Sequence, residues 1–139
     1  MTQTTDDYPL PLPRMRGLTA QWYEWLGRHE LRFQRCARCE RWRHVPREVC
    51  PGCGSTDWTW EPSTGRGRVY SWTTIYRSLH PDFHDTPYAA VVVEVDEGPR
   101  VMTWILDRTH DELEIDMPVE VVFDDVTPEV TLAKFRPVR

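Results

Sequence analysis

The sequence is almost without lysine: sixteen of its seventeen basic residues are arginine, and Lys134 stands alone. An excess of this kind reads more as genome composition than as function. Apolar runs are short as well. None reaches the roughly 18 residues that would cross a bilayer as a helix. The first thirteen residues are polar and proline-rich, carry Asp6 and Asp7, and lack the basic and apolar regions of a secretory signal. There is no Gly-x-Ser-x-Gly elbow, no phosphate-binding loop and no dinucleotide fingerprint, so the common hydrolase, nucleotidase and dehydrogenase signatures are excluded. Cysteine is limited to four residues. At 139 residues, 16.5 kDa and 40% hydrophobic content, the chain fits one domain, or a small module joined to one.

The four cysteines form two identical pairs, Cys36-x-x-Cys39 and Cys50-x-x-Cys53, ten residues apart. Each pair makes a tight knuckle that aims two sulfurs at one point, and a short hairpin brings the knuckles together. Pro51, Gly52 and Gly54 supply the turn chemistry. The pattern predicts a closed structural zinc site, with iron or disulfides as the alternatives. Four protein ligands leave no open position for a catalytic water, and His44 is not needed as a ligand. Thiolate zinc without a signal segment predicts a cytoplasmic protein.

The net charge of −5 is unevenly spread. Residues 14–53 hold nine arginines against four glutamates, whereas residues 80–139 hold fourteen acids against five bases. Only the cysteine segment is basic, which suits a solvated ribbon equally with a patch for phosphates or an acidic protein surface.

The pattern predicts a mainly β protein in four parts. Residues 1–13 form an extended lead-in marked by Pro9, Pro11 and Pro13. Residues 14–30 contain an N-terminal amphipathic helix over Leu18–His29, with Thr19 as N-cap and Gly27 weakening its end. Trp22, Tyr23 and Trp25 crowd that helix, either as core or as anchors for a partner. Residues 31–62 are the zinc ribbon. Residues 63–139 carry five short strands, near 68–76, 88–95, 101–106, 119–123 and 131–135. They predict a small closed OB-type Greek-key barrel, with Gly65 and Gly67 bending the chain where ribbon meets barrel.

These segments together resemble the acyl-CoA-associated OB-fold family. The resemblance spans Pro9 to Pro137. It is carried by Trp22-Tyr23, the four cysteines, Pro46-Arg47 before Cys50-Pro-Gly-Cys-Gly54, and above all Gly65-Arg-Gly67-Arg-Val-Tyr-Ser-Trp-Thr73. Pro87-Tyr88, Glu94 to Gly98 and Phe135-Arg-Pro137 complete it. Glu40 departs from it, standing where a glycine often follows the first knuckle. The resemblance implies a rubredoxin-like ribbon and a non-catalytic partner of thiolase-superfamily enzymes. It further implies that the partner is a lipid-transfer-protein-like aldolase that cleaves a steroid side-chain acyl-CoA by retro-aldol reaction, in a heterotetramer holding a pair of each chain. Acyl-CoA would then be a ligand of the complex. Arg66, Arg68, Tyr76, Arg77, His80, Phe83 and His84 are the candidates for CoA or channel contact, and Trp22, Tyr23 and Trp25 for the partner interface. A single-stranded nucleic-acid binder, disfavoured by net acidity, and a stand-alone acyl-CoA binder or enzyme are the alternative readings.

Overall fold

A computed structural model of the chain describes residues 8–138. Of the lead-in, residues 1–7 lie outside the described residues; the remainder runs without regular structure into helix α1 (Gly17–Gly27). Thr19 lies inside this helix, so it does not cap it. The N-cap position belongs to Arg16, which makes no side-chain cap bond. The C-terminus stops two residues short of His29. His29 takes a left-handed φ of 58°. Its N–H bonds Leu26 O at 2.8 Å, and Glu30 N–H bonds Trp25 O at 3.1 Å. That is a Schellman cap with histidine in the place glycine usually fills.

The ribbon is a three-stranded antiparallel sheet in the order β2-β1-β3, from β1 (Arg32–Cys36), β2 (Trp42–Arg43) and β3 (Trp58–Pro62). The barrel segment supplies β4 (Arg66–Ile75), β5 (Tyr88–Val95), β6 (Arg100–Thr103), β7 (Pro118–Asp125) and β8 (Thr131–Pro137), ordered β6-β5-β4-β7-β8. The alternation of β5 turns Val91, Val93 and Val95 inward, where they meet Val69, Val101, Val119 and Phe135, all 3% exposed or less. This layer of branched side chains holds the sheet in its curl.

The sheet is a half-barrel rather than the closed barrel expected. Its outer strands make no ladder among the described residues but touch at the end of β6: Thr103 Oγ1 donates to Ala133 O at 2.8 Å, Ile105 bridges Phe135 in parallel, Leu106 N–H reaches Phe135 O at 2.7 Å, and Phe135 N–H reaches Trp104 O at 3.0 Å. The exit to that bridge also ends β6 at Thr103, three residues before the run expected from sequence. The two glycines at the ribbon–barrel junction have distinct tasks. Gly65 has φ +76°, whereas a Cβ on Gly67 would lie 2.4 Å from the Glu94 carbonyl oxygen, so only glycine lets β4 approach β5 there.

Helix α1 rests on β8 and β1 and joins the two sheets. Trp22 and Leu26 are its buried residues, and they share one cluster with Leu31 and Phe33 of the ribbon and the barrel valines.

Candidate functional site

The two knuckles are built alike. Cys36 N–H bonds Arg41 O and Glu40 N–H bonds Cys36 O; likewise Cys50 N–H bonds Ser55 O and Gly54 N–H bonds Cys50 O, all at 2.9–3.0 Å. Glu40 and Gly54 occupy the equivalent left-handed position, at φ 64° and 77°. The four ligand sulfurs all lie within 4.8 Å of one another. Cys36 and Cys53 Sγ are 3.6 Å apart, and Cys39 and Cys50 Sγ 3.5 Å. A tetrahedron of 2.3 Å metal–sulfur bonds has edges of about 3.8 Å, so the donor set fits a four-coordinate thiophilic ion. The separations exclude disulfides, and all four cysteines are free.

Backbone amides prepare the sulfurs for a cation. The N–H groups of Cys39 and Arg38 aim at Cys36 Sγ at 3.4 Å and pull its thiol down to about 6. Those of Cys53 and Gly52 lower Cys50 in the same way. On Cys39, the Arg41 amide favours the thiolate but is outweighed by the neighbouring sulfurs, led by Cys50, and by burial, which push it up to about 11. The cluster thus holds negative charge that a bound metal ion would neutralise. His44 is not part of the cluster; its ring lies against Trp22, tilted by 39° with centroids 4.8 Å apart, and edge-on to Phe33 at 5.4 Å. Burial lowers its pKa to about 4, so it is neutral near pH 7.

The remaining sequence candidates do not converge. Arg66 and Arg68 stand at one end of β4, and Tyr76, Arg77, His80, Phe83 and His84 follow its other end. Ten strand residues at about 3.3 Å each separate them by roughly 30 Å along the chain. Arg68 is also committed: its guanidinium binds Glu94 and Asp116, each at 2.8 Å. Tyr76, Arg77, His80 and His84 are exposed. The aromatics of α1 part company too. Trp22 is a core residue at 7% exposure, Tyr23 lies edge-on to it, and Trp25 has the guanidinium groups of Arg28 and Arg32 over its ring at 5.0 and 4.3 Å.

Sequence reasoning missed a groove of about 730 Å³ where four segments meet. The lead-in contributes Leu10, the helix Trp22 and Tyr23, the ribbon His44 and Val45, and the barrel Ala90, Val92, Met102, Trp104 and Leu132. It overlies the open seam between β6 and β8. Its two cations are engaged, Arg100 with Glu94 and Lys134 with Asp124. The signal available in sequence was the outward alternation of Ala90 and Val92, apolar residues on a face that solvent normally claims. No described helix is long and apolar enough to cross a membrane.

Comparison with known proteins matches two family models in sequence. Residues 26–59 match the rubredoxin-like zinc ribbon domain of ChsH2, and residues 60–124 its C-terminal OB-fold domain. A probable enoyl-CoA hydratase alpha subunit of Thermomonospora curvata is 38% identical over 98% of the chain, which spans only 43% of that longer relative. A DUF35 domain-containing scaffold protein of Methanothermobacter thermautotrophicus is 34% identical, with 73% of this chain and 77% of the relative aligned. Among solved structures, a chain of the Ltp2-ChsH2(DUF35) aldolase superposes with a TM-score of 0.79 at 38% identity, covering 92% of this chain and 98% of that one. A DUF35 protein of Sulfolobus solfataricus shares the fold alone, at 12% identity and a TM-score of 0.64. The chain belongs to the ChsH2-type DUF35 family, in which a rubredoxin-like zinc ribbon precedes an OB-fold.

Proposed function

We propose that this chain is a non-catalytic accessory subunit of a thiolase-superfamily acyl-CoA enzyme, a lipid-transfer-protein-like aldolase that cleaves a steroid side-chain acyl-CoA by retro-aldol reaction. The observation that carries the reading is the near end-to-end match to a chain of an aldolase assembly, strengthened by relatives described as a scaffold and as an enzyme subunit. The site chemistry is in keeping with it. Cys36, Cys39, Cys50 and Cys53 hold a structural Zn2+ that fixes the ribbon, and all four positions around the ion belong to the protein. The ribbon ends at residue 62, where β3 closes, and the barrel begins at 63.

Contact with the CoA portion or the partner falls to the loop after β4. Arg77, His80 and His84 are exposed there, and Phe83 leans towards the groove. Arg66 stands too far away to join them, and Arg68 is neutralised by its two carboxylates. The same pairing removes a cation that a single-strand nucleic-acid binder would need on its barrel face. The complex is a cytosolic heterotetramer holding a pair of each chain.

The test is co-expression with a thiolase-like protein of the same host, recovered by its binding to the tagged chain, followed by mass measurement and assay of β-hydroxyacyl-CoA cleavage. A stable stoichiometric complex whose turnover needs both chains is the expected result. A partner that is fully active alone, with this chain unbound, overturns the reading.

A further inference from the structure

We infer that the groove between α1, the ribbon and the open β6–β8 seam is a binding site for a neutral, lipid-like molecule: an apolar body bearing one hydrogen-bonding oxygen. The site belongs to this chain by itself and does not depend on the accessory role.

Three features of the groove specify that chemistry. Its size, about 730 Å³, lies in the range of sites that enclose a small organic ligand, and it forms where structural units meet, as such sites commonly do. Its walls are aliphatic and aromatic: Leu10, Val45, Val92, Met102, Trp104 and Leu132. Met102 is 73% exposed and Val45 56%, an apolar surface that a ligand would remove from water.

Among the described residues, the two cations that line the groove are each paired with a carboxylate. Arg100 bonds Glu94 at 3.1 Å and lies over the Tyr70 ring, while Lys134 bonds Asp124 and lies over Trp104. His44 is held neutral by its surroundings. An anionic ligand would compete with Glu94 and Asp124 for these cations and meet their negative charge, whereas a neutral one leaves both pairs undisturbed.

The third feature is an unanswered donor. Trp22 lines the groove, and its indole N–H is buried without an acceptor among the described residues. Buried tryptophan N–H groups normally find a partner, and leaving one unpaired is costly. That N–H is closed to water, so a carbonyl or hydroxyl oxygen on the ligand supplies its acceptor on a small shift of the ring or its neighbours. The neutral imidazole of His44, 4.8 Å from the Trp22 ring, brings a second polar group to the same wall.

The experiment uses the full chain, labelled with 15N and loaded with zinc, and follows its tryptophan indole resonances. 1-Decanol is titrated against decanoate, a pair equal in length and different in charge. The Trp22 and Trp104 signals should move saturably with decanol, and at least about tenfold more decanoate should be needed for the same shift. Ala90→Trp, which fills the groove, and Met102→Glu, which charges it, should each abolish the shift at Trp104. Trp22→Phe should weaken decanol binding about 3- to 10-fold, the worth of one hydrogen bond. Retained zinc stoichiometry, unmoved signals from Trp58 and Trp60, and unchanged amide protection in β4, β5 and β7 show that each variant is folded. No saturable shift, equal binding of decanoate, or undiminished binding by both groove variants overturns the inference. Retention of the partner protein, measured on the same variants, is a separate readout, so the two readings can fail independently.

Discussion

The ribbon and the half-barrel are both antiparallel sheets, yet they are held by different forces. The barrel interior is hydrocarbon: Val69, Val93, Val119 and Phe135 are fully buried, and burial of that apolar surface suffices to define the curl. The ribbon has a two-residue β2 and a polar interior. Gln34 is completely buried there, accepting from Arg43 Nε at 3.0 Å and Arg47 N–H at 2.7 Å, and donating to Arg47 O at 3.0 Å. Such a network fixes the loop before Cys50 in one arrangement but contributes little net free energy, because each bond replaces one to water. A small ribbon of this kind takes much of its stability from its metal. The comparison teaches that one end of this molecule is stabilised by apolar burial and the other by a bound ion. Helix α1 couples them through Trp22 and Leu26.

The largest test of that contrast is removal of the ion. Cys50→Ser, or a strong chelator, should abolish stoichiometric zinc and melt the ribbon, while the barrel persists. In amide exchange, protection should vanish across β1–β3 and survive in β4, β5 and β7. Simultaneous collapse of both sheets would mean that the helix couples them into a single cooperative unit. Intact protection in the ribbon would mean that the metal is dispensable to it.

Trp22→Ala strikes the coupling itself. A large aromatic at 7% exposure leaves a cavity costing about 3–5 kcal/mol. Because Trp22 touches the cluster shared by both regions, the loss should appear in the ribbon and the barrel together. A loss confined to partner binding, with the free chain's melting unchanged, would return Trp22 to an interface role.

Much of this architecture could be read in advance, and the failures have a common cause. Two Cys-x-x-Cys pairs report a local geometry, so their convergence was legible from spacing alone. The strands were legible because β-branched runs end at turn residues; β5 matches its expected bounds, 88–95. Partnerships across the chain were not legible. Arg68 meets Glu94 and Asp116, which lie 26 and 48 residues away in sequence, and nothing local distinguishes it from Arg66, which has no carboxylate partner among the described residues. The groove is assembled from four segments, each of which looks ordinary by itself. Spacing alone set His44 aside as an unneeded ligand, but only the fold places its ring against Trp22.

That histidine gives the comparison a pH dependence. Its folded pKa of about 4 lies below the ordinary 6.5, so the folded state binds fewer protons than the unfolded chain between those values. Stability contributed by the neutral ring is complete above pH 6.5 and is lost as the pH falls to 4, by about 3 kcal/mol in all. Urea titrations across that window should show the decline, and His44→Phe should flatten it. Zinc release to a metallochromic chelator, followed in parallel, separates this contribution from protonation of the thiolates. An unchanged slope in the variant would assign the acid sensitivity to the cluster.

The smallest effect compares the two knuckles with each other. They share hydrogen bonds and the left-handed residue, but that residue is Gly54 in one and Glu40 in the other. A non-glycine residue pays roughly 1–2 kcal/mol to hold that conformation. Glycine removes the strain but gains backbone freedom in the unfolded chain, which offsets roughly 0.5–1 kcal/mol of the benefit. Glu40→Gly should therefore stabilise the ribbon by a few tenths to about 1 kcal/mol, and Gly54→Ala should destabilise it. Neither change should alter barrel exchange, because both residues lie on the metal side of the ribbon. If Glu40→Gly destabilises the protein, the glutamate makes an interaction worth more than its strain, and the two knuckles differ in function despite their equivalent geometry.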